Sequence, residues 1–454
     1  MLGEINKMES EIIKVKAGPT KEFFVSMITR DIQLSDAIVE LIDNSIDGIK
    51  RQKKEKYDEF FINVTFNKEF FEIEDNCGGI DLLVARYYAF VFGKPQSARD
   101  SEERVETTGT FGIGMKRSLF KIGREFEISS IAKDSSFLLK VNVGDWIKED
   151  DWDFILTESN DKVLNDVEKC GTKITVKNLF PGISQSFQYN PFIKEVINIV
   201  QRRTSSEISK GLTITINGIK IDGAFLSIIH GGNVSPYKFT FQSNNITATI
   251  LAGISAETMP DKAGWYVYCN NREVISADKS SLTTWKDYKD SDGIKYHNDY
   301  ATFRGFVFFT SIYPDLLPWN TSKTGIDSSS DIYKETRPHM IDAFKIITSE
   351  LKKLANLDEE IRTEVTKELR KQPVTQIHYF SAEEIPAKTN ISFIEPCSQE
   401  IKKDSARVPM STITYKVEKK LADKVKVSLD ASNYKDVGQK TFEYYIEMEA
   451  IENA

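Results

Sequence analysis

Glu40, Asn44 and Asp47 stand at i, i+4 and i+7 within Glu40-Leu41-Ile42-Asp43-Asn44-Ser45-Ile46-Asp47-Gly48. That spacing stacks a carboxylate, a neutral amide oxygen and a second carboxylate on one face of a helix. Ile38, Leu41, Ile42 and Ser45 recur at helical spacing toward a core on the other side. Such a trio can hold a water in place and lend oxygen to a hard cation. A solvated helix face carries the same residue types, so the trio gains its meaning from three segments downstream. Phe70-Phe71-Glu72-Ile73 reads as a strand that runs into Asp75-Asn76-Cys77-Gly78-Gly79-Ile80, a carboxylate at a strand end beside glycines that let a ligand approach the backbone. Further on, Thr107-Thr108-Gly109-Thr110-Phe111-Gly112-Ile113-Gly114-Met115-Lys116 opens a helix through Ser118-Leu119-Phe120. Free amides at a helix start, with a lysine beside them, suit phosphate. Cys170-Gly171-Thr172-Lys173-Ile174-Thr175-Val176 then gives a Gly-Thr step into an alternating strand.

These elements must be positioned by two helices and two strands in this chain order, and the order itself carries information. Over roughly residues 20 to 180 the chain resembles the GHKL superfamily of ATPases, which contains type II topoisomerases, MutL mismatch-repair proteins, MORC proteins, the heat-shock chaperone of the Hsp-ninety class and sensor histidine kinases. ELIDNSIDG fits the first box, Glu-x-x-x-Asn-x-x-Asp. EDNCGGI fits the adenine box, GTFGIGMK the lid-side glycine box, and GTKITV the closing Gly-Thr box. The adenine box departs from the family pattern: Cys77 stands where the first glycine is expected and Gly78 follows, which leaves Asp75 and Gly79 as the assignments that carry over.

The resemblance implies a role for each position. Glu40 is expected to orient or deprotonate the water that attacks the terminal phosphate of ATP, and Asn44 to be the one protein ligand to Mg2+, an ion completed by phosphates and waters. Asp75 is expected to accept the adenine amino hydrogen with support from Thr172, beside Gly79. Gly109, Gly112 and Gly114, with Ile113 and Met115 in the same stretch, are expected to line the phosphates. Lys116 either adds charge there or is a surface lysine on a helix. Asp47 is expected to brace the site more than Asp43 does.

Composition bounds the remainder. Sixty lysines and arginines against 68 acidic residues give a net charge of −8, which argues against wholesale coating of nucleic acid while leaving local patches such as Lys50-Arg51-Gln52-Lys53-Lys54-Glu55-Lys56 open. Cys77, Cys170, Cys269 and Cys397 are dispersed, and His230, His297, His339 and His378 are isolated, so neither a zinc site nor a Ser-His triad is indicated. No apolar segment is long enough to span a bilayer, and a cytoplasmic location is expected.

The fold expected is α+β: a Bergerat-type α/β sandwich ATPase domain over 1–210, a transducer-like, ribosomal-protein-like βαβ domain over 211–335, a helical segment over 336–372 and a C-terminal region of unassigned role over 373–454. A helix is expected over Ile193 to Lys210. The second domain is expected to begin at the hairpin signal around Asn217-Gly218 and to contain strands over Lys238 to Phe241, Thr247 to Ala252, Gly264 to Cys269 and Ala301 to Phe309, then a helix from Ile332. Asn270-Asn271-Arg272-Glu273-Val274 resembles the Asn-x-Arg turn of MutL and MORC relatives. In the tail, Tyr415 to Leu429 reads as an amphipathic helix and Thr441 to Ile446 as a strand.

Superfamily members with a transducer send a loop lysine into the ATP site, and Lys323, in Thr321-Ser322-Lys323-Thr324-Gly325, holds the corresponding place in chain order. The function implied is an Mg2+-dependent ATP-driven switch of the MutL or MORC kind, a nucleotide-dependent homodimer acting on DNA or RNA or beside a nuclease or helicase partner. Two alternatives stay open: a chaperone-like ATPase acting on protein clients, and an ATP-binding scaffold subunit.

Overall fold

The computed structural model describes residues 18–93, 112–161, 170–231, 234–285, 294–320, 323–377, 382, 384–387, 391–394 and 411–449. Its contacts divide the chain into a unit over Met1–Ile401 and a second over Lys402–Ala454. Among the described residues of the first unit lie two large sheets, each with its own helical cover, and one two-stranded sheet.

The first sheet has eight strands in the order β5-β4-β3-β6-β2-β1-β7-β8. They are β1 (Phe61–Phe66), β2 (Phe70–Asp75), β3 (Gly123–Ile131), β4 (Ser136–Asn142), β5 (Leu156–Asn160), β6 (Gly171–Leu179), β7 (Thr213–Ile216) and β8 (Ile219–Lys220). Ile62, Val64 and Phe66 of β1, with Phe71 and Ile73 of β2, alternate into the core as a half-buried sheet requires. Three helices cover that face: α1 (Leu34–Arg51), α2 (Gly114–Ile122) and α3 (Asn190–Arg203). Ile38, Leu41, Ile42, Ile46 and Ile49 of α1 meet Leu119 and Phe120 of α2 and Val196 and Val200 of α3 in one core. Asp36 in the first turn of α1, and Lys50 and Arg51 in its last, oppose the helix dipole.

The hairpin at Asn217-Gly218 forms with both residues at positive φ, 48° and 76°. It belongs to the first sheet, however, and not to the second. β7 pairs parallel with β1, Phe61 opposite Thr213, because the edge of β1 offers open hydrogen-bonding groups and Ile214 and Ile216 complete the core beneath it. The helix expected over 193–210 is interrupted: α3 ends at Arg203 and a short helical turn, Ser205–Ser209, follows Thr204.

The second sheet has five strands in the order β10-β11-β14-β12-β13. β9 (Leu226–Ile229) pairs with β15 (Val374–Ile377) alongside it, and the five are β10 (Tyr237–Ser243), β11 (Ile246–Ile254), β12 (Gly264–Cys269), β13 (Arg272–Asp278) and β14 (Phe303–Thr310). β12 and β14 run parallel. Among the described residues they are joined through β13 and two short 3-10 turns, Ser281–Thr283 and Asn298–Tyr300, and no α-helix of a βαβ unit lies between them. Helix α4 (Asp331–Ala355) packs on this sheet through Met340, Phe344 and Ile347, and α5 (Glu359–Lys371) adds Val365 and Leu369 to the same core.

In the second unit α6 (Lys419–Ser428) falls inside the expected helix, while residues 441–446 lie within α7 (Tyr434–Met448) where a strand is expected. Phe442, Tyr444, Tyr445 and Ile446 favour strands by type. The Asn433 side chain nevertheless accepts a hydrogen bond from the Asp436 amide and starts a helix, and Lys440 donates to the carbonyls of Leu429 and Asp430 at 3.3 and 3.1 Å. Local capping and packing override the residue preferences. No helix among the described residues is long and apolar enough to cross a membrane.

Candidate active site

The polar face of α1 is the starting point. It is covered: Glu40 and Asp47 are each 3% exposed and Asn44 is half-buried, so this is a dry acidic face rather than a solvated one. A buried carboxylate must find cations or give up its charge. Glu40 finds two. Lys323 Nζ donates to Glu40 Oε1 at 2.8 Å, across 283 residues of sequence, and Arg272 Nη1 donates to Glu40 Oε2 at 3.2 Å, across 232. The same Arg272 Nη1 also donates to Asp43 Oδ2. Burial alone would raise the Glu40 carboxyl. The charges of Lys323 and Arg272, with Arg117 further off, outweigh it and hold the group down at about 2. Lys323 is pulled below the ordinary lysine value by burial, against the opposing pull of Glu40 and Asp47.

Each cation arrives on a different element. Arg272 opens β13, just after a tight turn in which Asn270 and Asn271 take φ of 47° and 69°, the left-handed pair that suits a two-residue hairpin. Lys323 sits in the loop after β14, where the Asn320 amide donates to the Gly325 carbonyl at 3.0 Å and the Lys323 amide donates to the Asn320 carbonyl at 2.9 Å. Lys323 itself takes φ 55°, a conformation that costs a side-chain-bearing residue on the order of 1–3 kcal/mol and is held only when its surroundings fix it. The ammonium lies 5.9 Å from the centre of the Trp319 ring.

Helix α2 approaches the same carboxylate. A Cβ added to Gly114 would stand 2.0 Å from Glu40 Oε1, so no side chain fits at the helix start. Gly112 precedes it at φ 64°, Ile113 is the N-cap residue, and Met115 packs against the first core. The first turn of a helix carries amides with no partner inside the helix, which places polarised N–H groups beside Glu40. Lys116 turns elsewhere. Its buried Nζ donates to the carbonyls of Ala89 and Val91 at 2.8 and 2.7 Å, and burial lowers it to about 7. Gly109 lies outside the described residues.

Five residues beyond Glu40 along α1, at Ser45, the arrangement changes. Asp75 closes β2 opposite Thr172 of β6, and its oxygens accept from Ser45 Oγ at 2.6 Å, the Cys77 amide at 2.8 Å and the Thr172 amide at 3.3 Å. Burial raises this carboxyl, and these three donors together with the Cys77 thiol oppose the rise. The Thr172 hydroxyl lies 3.1 Å from that of Ser130, which in turn accepts from the Ile80 amide at 2.7 Å. Gly79 stands at φ 72° with Ile131 O where a Cβ would go, 2.0 Å away, so the loop lies flat on β3. Cys77 is buried, and its amide donates to Asp75 at 2.8 Å with the thiol beside it.

The structure thus brings Lys323 and Gly114 to Glu40, and Asp75 and Thr172 together beside Ser45 further along α1, with Gly79 on β3 nearby in the loop after Asp75. Residues 32–172 match the family described as histidine kinase-, DNA gyrase B- and HSP90-like ATPase. The match supports a GHKL-type ATPase domain over these residues. It supports ATP binding and hydrolysis, and domains of this type bind ATP, usually with Mg2+. No curated protein matches the chain.

Two functional neighbours carry no role from sequence. Arg272 is recognisable only as part of a turn, and Asp43, set behind Asp47 as a brace, is the acid that meets it. Ser45 reads as a small core-facing residue, yet its hydroxyl donates to Asp75. Its position one residue after Asn44, on the side of α1 that faces β2, is the signal that could have found it.

The site also admits a metal test. Asn44 Nδ2 is buried with no hydrogen-bond partner among the described residues. The amide is therefore not committed to the protein by its nitrogen, and a half-turn of its plane lets the oxygen face the same space. A neutral oxygen on the helix that carries Glu40 and Asp47 suits a hard divalent ion. Among the described residues no group of three His, Cys, Asp or Glu could hold an ion unaided, so phosphate and water oxygens would have to complete its shell. Asn44 fits Mg2+ brought in with a nucleotide.

Proposed function

We propose that the chain is an Mg2+-dependent ATPase that works as a conformational switch of the MutL or MORC kind, closing as a nucleotide-gated dimer on nucleic acid or with a nucleic-acid-processing partner. The observation that carries this reading is the meeting of Glu40 with Lys323, because a loop of the second sheet supplies the cation that sits on the candidate base of the first. Asp75 holds the adenine amino group, with the Thr172 and Ser130 hydroxyls behind it. Glycines 112 and 114 let the chain pass close to the phosphates. Asn44 would hold a magnesium ion, which would supply charge neutralisation at the phosphate oxygens.

Glu40 then orients a water toward the terminal phosphorus. The water oxygen bonds to phosphorus as the bond to the bridging oxygen of ADP breaks, and the water proton passes to Glu40. A carboxyl held at about 2 by two cations is a weak base. Transfer of Lys323 from Glu40 to the terminal phosphate removes one of those cations, raises the proton affinity of the carboxylate, and places positive charge where negative charge develops. One side chain thereby links the presence of the phosphate to the placement of the second sheet.

The test is ATP turnover with and without DNA or RNA, together with mass in solution with and without a non-hydrolysable ATP analogue. Mg2+-dependent turnover, stimulation by nucleic acid and a doubling of mass with the analogue are expected. Turnover with an unchanged mass and no response to nucleic acid would contradict the switch and leave a simple ATPase.

A further inference from the structure

Two cations meet Glu40, and they are held in different ways. Lys323 makes one contact from a loop, through a flexible stem that ends in a compact point charge. Arg272 is fixed from several sides. The Asn270 side chain donates to the Ser311 carbonyl at 2.9 Å and accepts from the Ser311 amide at 3.0 Å, which pins the β12–β13 turn to the end of β14. Lys50 Nζ of α1 donates to the Asn270 carbonyl at 3.4 Å. Glu273, next in sequence to Arg272, pairs with Arg202 of α3 at 3.5 Å. The guanidinium therefore reaches α1 from a turn anchored to two helices over the first sheet and to the end of β14 in the second, and it touches Glu40 and Asp43, neighbours at i and i+3 on the helix.

We infer that Arg272 is the positioning residue for Glu40: it ties that carboxylate to Asp43, so that Glu40 keeps its orientation when Lys323 leaves it for the terminal phosphate. The inference rests on the ATPase reading above and deepens it. Arg272 is 3% exposed, and its Nε and Nη2 are buried without a hydrogen-bond partner among the described residues. An arginine retained only to hold the fold would rarely leave two donors unsatisfied in a dry site. The charged groups around Glu40 are Lys323, Arg272 and Arg117, with Asp43 and Asp47 on its own helix. Once Lys323 withdraws, Arg272 is, among the described residues, the cation still in contact with Glu40. Both carboxylates are met by the one nitrogen, Nη1, so a lysine could supply the charge and a donor here but not the stiff, pre-organised guanidinium that fixes where that donor stands.

The test compares Arg272→Met, Arg272→Lys and Asp43→Asn with the wild-type chain, measuring steady-state kcat and KM, equilibrium ATP affinity and the thermal unfolding midpoint. Arg272→Met is expected to keep ATP affinity within about threefold while kcat falls at least tenfold, because the residue acts on the base and not on the nucleotide. Arg272→Lys should recover part of that kcat, and Asp43→Asn should lower kcat by a smaller factor at unchanged ATP affinity. If Arg272→Met does not fold, Arg272→Lys and Asp43→Asn carry the same decision. Unchanged kcat in the variants, or affinity and kcat falling together with no recovery by lysine, would overturn the positioning role. Absence of turnover in the wild-type chain would overturn the ATPase reading itself, and this inference with it.

Discussion

The surroundings of Asp75 and of Glu40 are built differently. The partners of Asp75 come from the first sheet and its cover: Ser45 from the helix, Cys77 from the next loop, Thr172 from the neighbouring strand. Glu40 instead depends on Arg272 and Lys323, both carried by the second sheet and its loops. A recognition site can be complete within one folded layer. A site completed by a second layer is in working order only when the two are in register, so its chemistry reports on their arrangement. In the function proposed here, recognition belongs to the first kind of site and chemistry to the second.

That contrast can be broken by substitution. Glu40→Ala should carry the largest effect, a fall in turnover of about 10²–10⁴-fold with ATP still bound, since a positioned general base contributes on that order. Rapid-quench turnover measured beside equilibrium binding checks it; retained turnover would remove Glu40 from the chemistry. Asp75→Asn should do the opposite, weakening ATP and ADP equally by roughly 1–3 kcal/mol, the usual consequence of leaving a buried polar partner mismatched. Calorimetric titration of both nucleotides reads this directly, and a loss confined to ATP would put Asp75 at the wrong end of the nucleotide. Ser45→Ala sharpens the comparison with a smaller effect. Loss of one hydrogen bond to Asp75 should weaken both nucleotides by roughly 0.5–1.5 kcal/mol and leave the kcat of the bound complex unchanged.

Legibility from the sequence divides along the same line. Glu40, Asn44 and Asp47 are legible because helical periodicity relates residues a few positions apart, and Asp75 because a carboxylate at a strand end beside glycines is a local signature. Four of the five strands of the second sheet are legible as apolar runs, which in β11, β12 and β14 are buried along nearly their whole length, whereas β13 reads only as a turn at Asn270 to Val274. Arg272 is not, because its partners lie 232 and 229 residues away and nothing near it in sequence requires a carboxylate. Lys323 is placed by resemblance alone. The hairpin at 213–220 shows a related limit: its turn chemistry is local and readable, while the sheet it joins is decided by the open edge of β1, far away in sequence. Residues 441–446 fail for another reason. Their aromatic and branched side chains favour strands, and the cap at Asn433 with the contacts of Lys440 decides for helix.

In the proposed function the second sheet completes the site beside Glu40 through Lys323. The measurement that tests it most directly is the ATP turnover of Lys323→Ala, read beside its ADP affinity and its analogue-induced closure in solution scattering. Turnover at least about tenfold lower, with ADP affinity within about twofold of wild type and closure reduced, is the result expected for a cation acting on the terminal phosphate. Turnover and closure that both survive the substitution would contradict it, and would leave Lys323 as a buried partner of Glu40 with no part in the reaction.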